Sequence, residues 1–136
     1  MKQLIDILHE GGYSCVIRNK GVTRTFHQRG VADLWALCHD NEEFLKNSQL
    51  ADKVIGKGAA ALMIHGGVSE VYADVISCPA LELLRTNGIS VSYAQQTDRI
   101  MNRRGDGLCP VESLCLVKET IEDMFEEIGN FIKQNI

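Results

Sequence analysis

A lysine stands inside the most apolar stretch of this chain, in Val54-Ile55-Gly56-Lys57-Gly58, directly before Ala59-Ala60-Ala61-Leu62-Met63-Ile64. An unpaired ammonium is costly to bury, so Lys57 must reach water, pair with an acid such as Asp52, or meet an anionic ligand. Gly56 and Gly58 would let a phosphate or carboxylate approach the backbone, and the start of a helix there would offer it free N–H groups and partial positive charge. A Gly-Lys-Gly triplet is a weak motif, however, and a lysine whose stem lies along apolar surface with its head in water explains it equally well. A second group of candidates lies on the polar stretch Asp98-Arg99-Ile100-Met101-Asn102-Arg103-Arg104-Gly105-Asp106. Asn102 and Arg103 could donate to an anion from it, although a solvated cluster that pairs with itself is the plainer account. The third group is Cys109-Pro110-Val111-Glu112, which reads as the start of a helix. Pro110 suits its first turn and Glu112 can cap its free N–H groups, which is sufficient structurally. A helix N-terminus also lowers a thiol's pKa, which makes Cys109 a candidate nucleophile with Glu112 or Lys57 as its proton partner.

No metal site can be assembled from the sequence. His9, His27, His39 and His65 are scattered, and Cys109 and Cys115 are poorly spaced for two ligands on one helix. Five cysteines at irregular intervals read as free thiols of a reducing compartment.

These candidates need a frame of elements to bring them together. The 136 residues suit one domain, and 45% apolar with 24% charged residues is the composition of a globular chain. Fourteen Lys and Arg against 18 Asp and Glu give a net charge of -4, which argues against general nucleic-acid binding but leaves room for one small cationic patch. The N-terminus lacks the features of a signal peptide, and no window is apolar enough to span a membrane, so a cytoplasmic protein without membrane contact is expected.

Lys2 to Glu10 predicts a short docking helix stopped by Gly11-Gly12. Tyr13 to Arg18 and Val22 to Phe26 predict a β-hairpin about Asn19-Lys20-Gly21. Val31, Leu34, Trp35 and Cys38 share one helical face. Val54 to Ile64 reads as a buried helix stopped at Gly66-Gly67, followed by a strand over Val68 to Ile76. A helix from Pro79 to the Asn87-Gly88 stop and a strand over Ile89 to Tyr93 complete a parallel crossover. About fifteen residues after Gln95 carry little pattern and could hide a fifth strand before Cys109. Val117, Ile121, Met124, Phe125, Ile128, Phe131 and Ile132 then keep helical spacing to the end of the chain.

This order, with the motifs DKVIGKGAAALM, VYADVIS, ALELLRTNGI and IMNRRGDGLCPVE, resembles the uncharacterised DUF1893 family. SCVIRNKGVTRTFHQRGVADL resembles the family's N-terminal half, so the likeness covers nearly the whole chain. It implies a cytidine deaminase-like fold: a three-layer α/β/α sandwich whose mixed sheet carries an antiparallel N-terminal hairpin. Zinc deaminases open one helix with a His or Cys two residues before a Glu, and the next with Pro-Cys-x-x-Cys. Here the first helix starts Val54-Ile55-Gly56-Lys57, and the next starts Ser77-Cys78-Pro79-Ala80-Leu81. Two of three ligands and the proton carrier are missing, so the resemblance implies neither zinc, nor any other cofactor, nor zinc-dependent deamination. The expectation is a pocket at the start of the Lys57 helix that binds a small anionic or nucleotide-like ligand. Lys57 neutralises its charge, Ser77 donates a hydrogen bond, Asn102 and Arg103 close it, and Cys109 with Glu112 forms the far wall. The alternatives are a metal-independent enzyme with Cys109 as nucleophile and a homo-oligomeric interaction module.

Overall fold

The computed structural model describes residues 1–28, 31–100 and 110–134, and within helices the side chains of Pro110 and Glu112 are outside that description. It is a mixed α/β structure around a five-stranded sheet of order β2-β1-β3-β4-β5. Helix α1 (Lys2–Glu10) leads into the antiparallel hairpin β1 (Cys15–Asn19) and β2 (Val22–Phe26). Lys20 and Gly21 close the hairpin at φ 50° and 81°. Two successive positive φ values give the turn the twist of the strands it joins.

Helices α2 (Ala32–Asp40) and α3 (Glu42–Leu45) follow, then β3 (Gln49–Ile55), α4 (Lys57–Gly66), β4 (Glu70–Ser77), α5 (Cys78–Thr86) and β5 (Ser90–Thr97). β3 runs antiparallel to β1, whereas β3, β4 and β5 are mutually parallel. The chain ends in α6 (Pro110–Leu116) and α7 (Ile121–Gln134). Among the described residues no helix is long and apolar enough to cross a membrane.

Helices flank both faces of the sheet. On one side α1 buries Leu4 and Leu8 against Val16, Ala51 and Tyr72. On the other, Ile17, Leu50, Val71 and Ala73 meet Ala60, Leu62, Met63, Leu81 and Leu84 of α4 and α5. α4 is the innermost helix, because α2, α6 and α7 also pack on it. Its apolar circumference follows from that position: Gly58 to Met63 and Gly66 are all buried.

Two expectations are corrected. The run starting at Val54 is not one helix: β3 ends at Ile55, Gly56 stays extended at φ -99° and ψ 179°, and α4 begins at Lys57. The fifth strand of the sheet is therefore Gln49–Ile55, whereas the expected place before Cys109 lies largely outside the described residues. Val117 does not continue the last helix; it is 79% exposed between α6 and α7. Thr120 caps α7 there, its hydroxyl accepting the Asp123 N–H at 3.1 Å.

Close contact at α4 depends on a missing side chain. A Cβ at Gly58 would collide with the Cγ1 of Val111 on α6. Val has a stiff χ1 and cannot swing aside without cost. Gly58→Ala is therefore expected to lower the unfolding free energy by about 1–3 kcal/mol in urea denaturation. Adding Val111→Ala should recover much of that loss. Equal stability of the wild type and the Gly58→Ala variant would show that α6 does not lie against α4 in this way.

Candidate functional site

β3 and β4 are adjacent parallel strands, paired Ile55 with Ile76, and each is followed almost at once by a helix. The N-termini of α4 and α5 therefore open at the same edge of the sheet, where α/β folds place ligands. Lys57 is the first residue of α4. Its Nζ donates to the Leu116 carbonyl at 3.4 Å and the Lys118 carbonyl at 3.1 Å. The ammonium thus binds the C-terminal end of α6, where unpaired helix carbonyls favour a cation.

Ser77 ends β4 and caps α5. It is 0% exposed, and its Oγ accepts the Ala80 N–H at 3.2 Å. That contact uses a hydroxyl lone pair and leaves the O–H group its capacity to donate. Cys78 follows at the first position of α5, and its Sγ accepts from Gln96 Nε2 at 2.9 Å and lies 3.9 Å from Asp98 Oδ1. One turn further, Leu81 is only 5% exposed within the core. Gly56 and Lys57 likewise offer no metal-binding side chain at the start of α4, so the residues present do not fit a deaminase zinc site. Among the described residues no three His, Cys, Asp or Glu side chains are placed to hold a metal. Lys57 and Ser77 therefore stand at one edge, while Asn102, Arg103 and Cys109 lie outside the described residues. Glu112 belongs to α6, but its side chain also falls outside them.

Sequence reasoning passed over a second group. Asp52 lies on β3 opposite Cys15 of β1, on the face covered by α2, whose first turn contains Asp33. Burial pushes the Asp52 carboxyl up to about 7, against hydrogen bonds from the Val54 and Lys53 backbone that oppose the shift; the negative charges of Asp74 and Asp33 add to it. Burial also raises Asp33, with opposing contributions from the Gln28 backbone and His27. Asp33 Oδ2 is buried without a hydrogen-bond partner among the described residues. The Cys15 thiol is pushed well up by burial and then by Asp52 and Asp33, which keeps it a protonated, inert sulfur. The sequence signal was an acid amid apolar strand residues in Leu50-Ala51-Asp52. That signal is obscured because Asp52 also reads as a partner for the nearby Lys57.

A family model described as a domain of unknown function (DUF1893) matches residues 3–132. The crystal structure of a DUF1893 family protein from Thermotoga maritima superposes with a TM-score of 0.86 at 23% identity, covering 95% of this chain and 87% of that one. That likeness shows a common fold. No curated protein gives a significant match.

The titration of Asp52 gives a measurable signature. In the unfolded chain it releases its proton near 3.8, and in the folded protein near 7. Between these values the native state binds the extra proton, so the contribution of Asp52 to stability falls as pH rises from about 4 to 7 and is constant above. Asp52→Asn should remove this slope and make the protein more stable than wild type at pH 8 by roughly 1–4 kcal/mol. Denaturant unfolding at pH 5 and pH 8 checks it; parallel pH profiles of the two proteins would contradict the raised Asp52 carboxyl.

Proposed function

Because the chain belongs to the DUF1893 family, we propose that it is a deaminase-like α/β/α sandwich without the catalytic zinc site that binds a small anionic or nucleotide-like ligand beyond the carboxyl ends of β3 and β4. The observation that carries this reading is the pair of helix N-termini, α4 after β3 and α5 after β4, at one edge of the parallel strands. Both bring partial positive charge and N–H groups to that edge. Lys57 adds a full charge at the head of α4, and the buried capping hydroxyl of Ser77 is proposed to donate to the ligand. Gly56, at the N-cap of α4, leaves the backbone open to a bulky oxyanion.

In this reading the site exchanges metal chemistry for anion recognition. An apolar Leu81 replaces a ligand, and a cation stands where the metal-binding helix would supply a ligand and a proton carrier. Lys57 has two parts: its charge favours the ligand, and its hydrogen bonds to Leu116 and Lys118 hold the end of α6 beside α4. Asn102 and Arg103 are proposed to close the site, and Cys109 with Glu112 to form its far wall. Their types suit the task, since an amide and a guanidinium both donate to oxyanions.

The test is a thermal-shift panel of mononucleotides, inorganic phosphate, pyrophosphate and small carboxylates. A ligand at a hundredfold excess over Kd stabilises by about 2.7 kcal/mol, a rise of several degrees for a domain of this size. At least one phosphate-bearing compound should give such a rise, and Lys57→Met should abolish it. A panel without effect, or a shift that survives Lys57→Met, would remove the reading and favour the homo-oligomeric interaction module.

A further inference from the structure

At the far edge of the sheet from β5, between the β2 end of the hairpin and α3, lies a depression of about 350 Å³. Its walls include Lys20, Val22, Arg24, Asn41, Glu43 and Phe44. Three features distinguish it from ordinary surface.

The first is charge without a partner. Among the described residues neither Lys20 nor Arg24 forms an ion pair, although Glu43 shares the depression. The second is aromatic contact. The Arg24 guanidinium lies 5.4 Å from the Phe26 ring centroid and 5.3 Å from that of Phe44. Such contact holds the cation in place without neutralising its charge, and a guanidinium so held can still donate to a carboxylate or phosphate. The third is fixed placement. Asn19 is only 9% exposed, and its Nδ2 lies 3.2, 2.7 and 3.0 Å from the carbonyls of Glu43, Phe44 and Lys46. This amide ties the hairpin to α3 and sets the two walls of the depression.

Lys20 is also in an unfavourable conformation. It has φ 50°, the left-handed region where Asn or Gly would be at ease. A lysine there sacrifices some stability to bring a cation to the rim. Val22, 56% exposed, adds apolar surface beside it.

We propose that this depression binds a small organic anion with a flat apolar body, its anionic group between Lys20 and Arg24 and its body against Val22 and Phe44. An aromatic carboxylate is the simplest ligand of this class. The site is separate from the carboxyl edge of the parallel strands and does not depend on the function proposed there. Glu43 opposes the anion and so tunes affinity downward.

The test uses the full-length, isotopically labelled protein, with benzoate, neutral benzamide and inorganic phosphate titrated separately by NMR. Benzoate up to about 10 mM, the weak end of small-ligand affinity, should give saturable shifts of the amides at 19–24 and 41–44. Benzamide and phosphate should bind there roughly tenfold more weakly or worse. Arg24→Gln should weaken benzoate by a similar factor with the fold intact, and Glu43→Gln should strengthen it. Lys20→Asn should weaken binding while raising Tm, a combination that loss of structure cannot produce. The proposal is overturned if those amides do not respond to benzoate, if Arg24→Gln responds like wild type, or if benzamide or phosphate matches benzoate.

Discussion

The structure depends on burying a helix whose stretch from Gly58 to Ala61 has almost no side chains. From Gly58 to Ala61 helix α4 presents only Gly and Ala, so neighbours can approach its backbone closely on every side. The sheet, α5, α2, α6 and α7 all do so. Each larger residue buried in this arrangement, such as Leu62, Met63 or Ile128, stabilises by about 1.5–3 kcal/mol, whereas a mid-helix glycine costs about 0.5–1 kcal/mol. The same fit recurs at the ends of the packed unit. Leu45 fills the space beside Gly66, and the Trp35 ring lies where a Cβ on Gly129 would be 2.6 Å from its Cη2. At these places small residues face large ones, as close packing requires.

This arrangement limits where chemistry can stand. A helix enclosed on all sides can present a charge only at its ends, and α4 does so at its first residue. Lys57 emerges there and reaches the terminal carbonyls of α6, so one side chain is both the cation of the strand edge and a tie between two helices. α5 meets the same edge through the cap of Ser77, and the Cys78 sulfur beside it is held by Gln96. Polar groups on the opposite face are organised separately: Asp74 Oδ1 accepts from Tyr72 Oη at 2.7 Å and stands 2.7 Å from His9 Nε2. Burial and the Asp74 hydrogen bond push the Tyr72 phenol up to about 12, so it remains a donor at neutral pH.

Much of this architecture was legible because the signals were local. Gly11 and Gly12 marked the end of α1, Asn19-Lys20-Gly21 the hairpin turn, Pro79 the start of α5, and Asn87-Gly88 its end. The parallel pair β4 and β5 followed from a strand, helix, strand order, although β5 continues through the polar Gln95-Gln96-Thr97 beyond its apolar part. β3 was not legible as a strand. Gln49-Leu50-Ala51-Asp52-Lys53-Val54-Ile55 lacks apolar alternation, since Asp52 occupies a core-facing position and Val54 is exposed. Its last two residues therefore merged with the apolar helix after Gly56. The change from β-branched Val54-Ile55 to Ala59-Ala60-Ala61 across Gly56 was the available signal. At the strand edge, the apolar run around Lys57 and the Ser77-Cys78-Pro79 helix start were legible, although the helix expected from Val54 begins only at Lys57. The Asp33 and Asp52 pair could not, because it joins residues from distant elements whose proximity exists only after β3 pairs with β1.

Hydrogen exchange of the Lys57→Met variant tests this arrangement most directly. Methionine keeps the unbranched stem and removes only the ammonium. Amides of α6 should lose protection while those in the middle of α4 and in β3 and β4 keep theirs, showing that the amine fastens the outer helix to an independently stable centre. Unchanged protection in α6, or a uniform loss over the whole molecule, would contradict the account.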